Sequence, residues 1–116
     1  MFTIHLYRTG TGRSPVHEFI LAQEPKAQDK VYEVLDYLKT YGFHLSTKYL
    51  RRLSGSGRLW EIRAKSHSKQ YRLLLSRLET NVIVILHAFV KKTAKTPRQD
   101  IETAEERLRL YEKGGL

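Results

Sequence analysis

The 116-residue sequence contains no cysteine, and this absence excludes several kinds of protein at once. Without cysteine there is no disulfide framework, no thiol nucleophile, no zinc ribbon and no cysteine-bound iron–sulfur cluster. The hydrophobic and charged fractions, 41% and 28%, are ordinary globular values, which exclude collagen, coiled-coil and wholly disordered compositions. We therefore expect one domain over residues 1–116, held together by packing alone.

Long apolar runs are missing as well. No stretch approaches the roughly 20 apolar residues of a membrane span. The alternating start, Met1–His5, predicts a strand rather than a signal peptide. These observations favour a cytoplasmic protein with no membrane partner.

Metal and nucleotide signatures are also absent. The five histidines, at positions 5, 17, 44, 67 and 87, show no close ligand spacing, and residues 48–98 lack the carboxylate cluster of a two-metal nuclease. Gly10–Gly12 and Ser54–Gly57 lack the spacing of phosphate-binding loops, so both are predicted to be turns. We expect no metal and no other cofactor.

What the sequence does have is positive charge concentrated in its middle. The chain carries 21 Lys+Arg against 12 Asp+Glu, for a net charge of +9. Residues 1–47 are balanced, residues 48–98 hold thirteen basic and two acidic residues, and residues 99–116 hold three basic and five acidic ones. Seven of the thirteen are arginines, the residue type suited to bidentate phosphate contacts. A solvated basic face would need no function, but this distribution favours a nucleic acid as partner.

The first part of the chain predicts a strand followed by two helices. Phe2–Arg8 alternates apolar and polar residues with the period of a half-buried strand. Ser14 and Pro15 form an N-cap and first-turn signal for a short helix. Pro25 opens a second helix, which Gly42 should end. Its apolar residues recur at helical spacing: Val31, Val34, Leu35, Leu38 and Tyr41.

The second part predicts three strands and a final helix. Leu59–Ala64 and Gln70–Ser76 alternate with period two, and Val82–Val90 is apolar on both faces, as expected of a central strand. Thr96–Gln99 fits a capping box for a terminal helix that Gly114 and Gly115 should end. The expected fold is α+β in the order β-α-α-β-β-β-α, with an antiparallel-rich sheet, a helix pair on one face and a C-terminal helix.

The strand pattern predicts a basic sheet face. If Trp60, Ile62, Tyr71 and their neighbours of the same parity pack on the helices, the opposite parity carries Glu61, Arg63, Lys65 and Arg72. Lys91, Lys92 and Lys95 follow the central strand and could close the rim of this face. Charged residues on an exposed sheet face are ordinary, so the informative feature is their sign. Aromatic residues in these strands, such as Trp60, are expected in the core rather than stacked on bases.

Three pieces of sequence carry a resemblance to a known family: Leu59–Arg63 (LWEIR), Tyr71–Leu74 (YRLL) and Leu86–Pro97 (LHAFVKKTAKTP). Together, over roughly residues 50–100, they resemble the phage-derived HigB branch of the RelE/ParE toxin superfamily. The resemblance implies a RelE-like fold and the toxin of a type II toxin–antitoxin system. Such a toxin usually cleaves mRNA on the ribosome and is held inactive by a helix-turn-helix antitoxin. RelE has a late tyrosine involved in the chemistry, whereas this chain has no tyrosine between Tyr71 and Tyr111.

The resemblance and the chemistry of RNA cleavage together suggest site residues. By resemblance, Arg63 and Arg72 match basic positions of the cleft, and Lys92 falls near the basic residue after the last strand. A metal-free ribonuclease uses the 2′-hydroxyl as nucleophile, and loss of one donor to the charged transition state typically costs about 3–4 kcal/mol. Arg72, then Arg63, are expected in that role. His87 could transfer protons, or could be a core histidine with one hydrogen bond.

Other basic residues are expected to hold neighbouring phosphates: Arg58, Lys65, Lys69, Lys91 and Lys95. The sequence therefore predicts a ribosome-dependent, metal-independent mRNA endonuclease toxin. Two alternatives stay open: a ParE-like inhibitor of DNA gyrase with the same fold, and an RNA-binding module without catalysis.

Overall fold

A computed structural model of the chain describes residues 1–114 and has the expected α+β architecture. Five strands form one mixed sheet in the order β1-β5-β4-β3-β2, in which β1 runs parallel to β5 and all other neighbours are antiparallel. The short strand β2 was not predicted. In chain order the elements are β1 (Thr3–Leu6), α1 (Pro15–Leu21), α2 (Pro25–Tyr41), a 3-10 turn (Gly42–His44), β2 (Leu50–Arg52), β3 (Trp60–Ser66), β4 (Lys69–Glu79), β5 (Val82–Val90) and α3 (Arg98–Gly114).

The predicted limits of the first two helices are confirmed. The Ser14 hydroxyl accepts a hydrogen bond from the His17 backbone N–H, and Pro15 is the first residue of α1. Gly42 ends α2 with a φ of 57°, a conformation that favours glycine. A Cβ at Gly42 would lie 2.0 Å from the ring of Phe2, so a side chain there would require that ring to move.

The two faces of the sheet are covered by different helices. The face that α1 and α2 cover, called here the helix-pair face, buries Ile62, Leu73 and Ile85 with side chains of both helices, which confirms the predicted strand parity. The opposite face, called the α3 face, buries Leu74, Val84 and Leu86 against Ala104, Leu108 and Tyr111 of α3. Strand β5 is therefore covered on both sides, as its sequence predicted. Since α3 packs against β5 and β4, the β3 end of its face is left for other contacts.

Strand β5 contains a bulge and is only partly paired on one side. Leu74 lies opposite His87 and Leu75 opposite Ile85, so Leu86 is the extra residue. Arg107 of α3 donates from Nη1 to the Leu86 carbonyl at 2.9 Å. Strand β1 pairs with β5 only as far as Ile85 among the described residues, and beyond that residue β5 is an edge strand.

The start of α3 differs from the expected capping box. The Thr96 hydroxyl donates to Glu61 Oε2 at 2.6 Å, and the helix begins at Arg98, one residue after Pro97. The capping-box prediction is wrong, because the helix begins one residue later than predicted and the Thr96 hydroxyl is directed at a buried carboxylate of the sheet. The helix is described through Gly114, and the predicted stop at Gly115 lies outside the described residues. No helix among residues 1–114 is both long and apolar enough to cross a membrane.

Candidate nucleic-acid interface

Strand register brings four charged side chains together on the α3 face. Arg51 of β2 pairs with Glu61 of β3, and Arg63 of β3 pairs with Arg72 of β4. Directly paired residues of antiparallel strands point to the same face, and residues two apart along a strand do so as well. The four side chains therefore share the β3 end of the α3 face, which the helix leaves uncovered.

A buried ion pair lies at the centre of this cluster. Arg72 donates from Nη1 to Glu61 Oε1 at 2.7 Å and from Nη2 to Gln70 Oε1 at 3.0 Å. The side chains of Arg72 and Glu61 are only 6% and 4% exposed. The second carboxylate oxygen accepts the Thr96 hydroxyl, so both oxygens of Glu61 are engaged. Arg72 Nε is buried and has no hydrogen-bond partner, so at least one of the five N–H donors of this guanidinium is unsatisfied.

Arg63 is less completely neutralised than Arg72. Its Nε lies 3.6 Å from Glu61 Oε1, and its side chain is 27% exposed. This nitrogen is also buried without a hydrogen-bond partner. Burial lowers the pKa of Arg63, and the nearby positive charges of Arg72 and Arg51 lower it further. The Glu61 carboxylate is thus surrounded by several guanidinium groups, and an added anion would offset the repulsion between those positive charges.

The cluster forms the floor of a groove of about 560 Å³. The segment before α3 and the first turns of that helix form one wall, and the loop after β2 forms another. We call this the cationic groove, and its lining contains six basic residues against three acidic ones. The basic residues are Arg51, Arg52, Arg63, Arg72, Lys95 and Arg98, and the acidic ones are Glu61, Glu102 and Glu105.

The composition of the cationic groove suits a phosphate chain. Arginine groups bind phosphate oxygens in a bidentate manner, and their positions here are fixed by strands rather than by flexible loops. Partly dehydrated cations attract anions more strongly than fully solvated ones, because the local dielectric is lower. The groove can therefore bind a phosphodiester and stabilise additional negative charge on it.

Two of the predicted catalytic residues lie outside the groove. Lys92 lines a separate cavity of about 390 Å³ with Phe89, Pro97 and Asp100, so the expected convergence of Lys92 with Arg63 and Arg72 does not occur. Residues 91 and 92 follow the end of β5, where the chain leaves the sheet and strand alternation no longer sets side-chain direction. Of the lysines after β5, Lys95 is the one that lines the cationic groove.

His87 is occupied by contacts with α3. Its Nε2 lies 2.6 Å from Asp100 Oδ1, and its Nδ1 lies 3.3 Å from Arg107 Nη1. The ring also stacks on Phe89, with centroids 5.7 Å apart. Both ring nitrogens therefore contact side chains of α3, and the residue is not part of the groove lining.

The other predicted phosphate-binding residues are dispersed. Arg58 forms a bidentate pair with Glu112 of α3, with N–O distances of 2.8 and 2.6 Å. Lys65 lines a different cavity, between α2 and β3. Lys69 is exposed at the β3–β4 hairpin, and Lys91 is half-buried with its backbone N–H bonded to the Gln70 carbonyl.

The sequence does not predict that four of the residues lining the groove lie there. Alternation identifies Glu61 only as the single acidic residue of the predicted basic face, and the capping pattern assigns Thr96 to a helix cap. Arg51 was not placed because β2, at three residues, is too short to show an alternating pattern. Arg98 was counted only in the charge total. The usable signal was Glu61 itself, since one acid among several arginines on a half-covered face predicts an ion pair.

Within residues 1–114, no group of three or more histidine, aspartate or glutamate side chains is placed to hold a metal ion.

Comparison with known families gives a match over most of the chain. A family model described as Phage derived protein Gp49-like (DUF891) matches residues 18–109. This range contains the whole floor of the cationic groove and most of α3. No curated protein matches the chain.

Proposed function

The chain belongs to the phage-derived Gp49-like family, and on this premise we propose that it is the toxin of a type II toxin–antitoxin system. We propose further that it belongs to the RelE superfamily and cleaves mRNA on the ribosome without a metal ion. The observation that carries this proposal is the convergence of Arg63 and Arg72 around Glu61 on the floor of the cationic groove.

The proposed chemistry is attack by the 2′-hydroxyl of the RNA on its own adjacent phosphorus, which forms a 2′,3′-cyclic phosphate as the bond from phosphorus to the 5′-oxygen of the next nucleotide breaks. The 2′-hydroxyl proton passes to water, and the leaving 5′-oxygen takes up a proton from water. Negative charge builds up on the phosphate oxygens in the transition state, and preorganised donors that face this charge lower the barrier. Arg63 and Arg72 are the proposed donors, because both line the groove and the Arg63 side chain is 27% exposed there. Lys95, on the groove wall, is proposed to contact a neighbouring phosphate.

Glu61 is proposed to position the two arginines rather than to react. Its side chain is almost fully buried, and its oxygens accept hydrogen bonds from Arg72 and Thr96. These contacts link β3, β4 and the segment before α3 at one point. Arginine side chains lose considerable rotamer freedom when they bind a ligand, and a fixed carboxylate removes part of that cost in advance.

The partner proposals follow from charge and from the resemblance. The substrate is proposed to be mRNA on the ribosome, reached in the cytoplasm. Residues 48–98 carry eleven more basic than acidic residues, and such a surface binds polyanions broadly. A cognate antitoxin with a helix-turn-helix domain, covering this surface, is proposed to restrain it.

Induced expression of three proteins in a bacterial host tests the proposal: the wild type, Arg63→Ala and the matched control Arg58→Ala. Arg63 is in the groove, whereas Arg58 is an arginine of the same region that pairs with Glu112 elsewhere. The readouts are growth and the mapping of new 5′ ends on cellular mRNA. We expect cleavage by the wild type and by Arg58→Ala, and a loss of about 100-fold or more for Arg63→Ala.

Three results would contradict the proposal in different ways. Growth arrest by Arg63→Ala equal to that of the wild type would exclude the groove as the active site. Growth arrest without new mRNA ends, together with altered plasmid supercoiling, would indicate the gyrase inhibitor. Salt-sensitive RNA binding without any cleaved product would indicate a binding module.

A further inference from the structure

A second cavity, of about 430 Å³, lies between α2 and β3. Two aromatic rings line it, those of Tyr37 from α2 and Tyr49 from the segment before β2. Their centroids are 5.4 Å apart and their planes are inclined by 68°. We call this cavity the tyrosine pocket. Its volume and its aromatic lining are of the kind that holds a planar ring of small-ligand size.

The tyrosine pocket contains one carboxylate, that of Glu33, which contacts two neighbouring side chains of α2. Glu33 Oε1 accepts the Tyr37 hydroxyl at 2.8 Å, and Oε2 accepts from Lys30 at 3.4 Å. These two contacts lower the pKa of Glu33, so it is an anion at neutral pH and acts only as an acceptor. A carboxylate repels a phosphate but accepts N–H groups. It therefore favours a ring with an exocyclic amino group, which offers two N–H donors, over uracil, which has only its ring N3–H.

The tyrosine pocket adjoins the cationic groove at two residues. Arg63 and Arg72 line both cavities. Lys48 and Lys65 also line the pocket, and Lys48 Nζ lies 5.3 Å from the centroid of the Tyr49 ring. A chain whose phosphate is held by the arginines can therefore place its next group in the tyrosine pocket, with lysines near the flanking phosphate.

We propose that the tyrosine pocket binds one nucleobase of single-stranded RNA and prefers a base with an exocyclic amino group over uracil. This inference rests on the proposed function, because it assumes that an RNA phosphate occupies the cationic groove. Proteins hold unpaired bases by stacking them on aromatic side chains and by hydrogen bonds to their edges. The two tyrosines would provide the aromatic surface for stacking, and the Glu33 carboxylate would accept a hydrogen bond from the amino group.

The test measures binding of the full chain to fluorescein-labelled RNA hexamers that are fully 2′-O-methylated and therefore not cleavable. Three kinds of hexamer are compared. The first contains adenosine at every position, and the second has the same sequence with one abasic site, placed at each position in turn. The third contains purine riboside in place of adenosine. Purine riboside lacks only the amino group. We expect affinity about tenfold lower at one abasic position, and several-fold lower for purine riboside.

Two variants assign the effect to the pocket. Glu33→Gln is expected to abolish the difference between adenosine and purine riboside, and Tyr49→Leu is expected to abolish the cost of the abasic site. Tyr32→Leu is the matched control, because Tyr32 is an exposed tyrosine of α2 that does not line the pocket. The abasic and purine riboside comparisons use the unaltered chain, so they do not depend on the folding of any variant.

The outcomes separate this inference from the proposed function. If all intact hexamers bind but abasic sites and purine riboside make no difference, the base pocket is excluded and the groove remains a phosphate site. The same conclusion follows if Tyr32→Leu changes base preference as much as Tyr49→Leu does. If no hexamer binds at any salt concentration, both the RNA-binding groove and the base pocket are excluded.

Discussion

The guanidinium of Arg72 lies 2.7 Å from the Glu61 carboxylate, and both side chains are almost completely removed from solvent. Dehydrating two charges costs free energy that their attraction only partly returns, so a buried pair of this kind is a poor source of stability. Its value lies in position: the pair fixes a guanidinium on the groove floor. We therefore expect the pair to contribute more to the arrangement of the groove than to the stability of the fold.

We expect Arg72→Met to lower the free energy of unfolding by about 3–5 kcal/mol, because it leaves the Glu61 charge buried without its partner. The double variant Glu61→Gln with Arg72→Met should recover most of this loss, since no uncompensated charge remains. Neither variant should cleave RNA. Urea unfolding and a cleavage assay measure the two properties separately, and a double variant no more stable than Arg72→Met would contradict the argument.

A second prediction concerns His87, whose ring nitrogens contact Asp100 and Arg107 of α3. Asp100→Ala should lower the free energy of unfolding by about 1–2 kcal/mol, because a partly buried hydrogen bond is lost. Cleavage at neutral pH should persist. Asp29→Ala, at an exposed position of α2, is the matched control and should change neither property. A folded Asp100→Ala protein without cleavage activity would instead assign proton transfer to His87.

A third prediction concerns the ion pair of Arg58 and Glu112. The hydrogen bond from Arg58 lowers the pKa of Glu112 below its ordinary value. The pair therefore stabilises the fold above the ordinary glutamate pKa, and this contribution is lost as pH falls through the lowered value. Both side chains are about half exposed, which limits the effect to about 0.5–1 kcal/mol.

The measurement for this pair is urea unfolding of the wild type and of Glu112→Gln at neutral pH and at about pH 3. The difference in stability between the two proteins should be present at neutral pH and absent in acid. Glu79→Gln gives the background of an exposed glutamate that forms no ion pair within residues 1–114. A difference that is constant with pH would contradict the assigned pKa shift.

The fold was predictable because its signals are local. Alternation assigned the correct face to Ile62 and Leu73, and the apolar run of β5 indicated a strand covered on both sides. Strand β2 was missed because three residues do not display a period. The bulge at Leu86 was missed because the apolar run of β5 shows no break there; the Leu86 carbonyl accepts from Arg107, twenty-one residues further along the chain.

The site was only half predictable, for a related reason. Arg63 and Arg72 were placed correctly on one face, since strand parity determines side-chain direction. Lys92 and Lys95 lie beyond the end of β5, where no period applies, and only Lys95 reaches the groove. Arg58 was expected to be available for phosphate, but its partner Glu112 is 54 residues away in sequence. Pairings over such distances cannot be inferred from composition.

The incomplete pairing of β5 bears on how copies of this protein behave when they meet. From His87 to Val90 the strand has no paired strand on its β1 side among the described residues, and an unpaired strand edge is a place where a strand of another molecule can add. Lys91 and Lys92 follow immediately, so two approaching copies would bring four ammonium groups together. The repulsion between these like charges would disfavour self-association at the edge of β5. The same edge would remain accessible to an acidic segment of another protein.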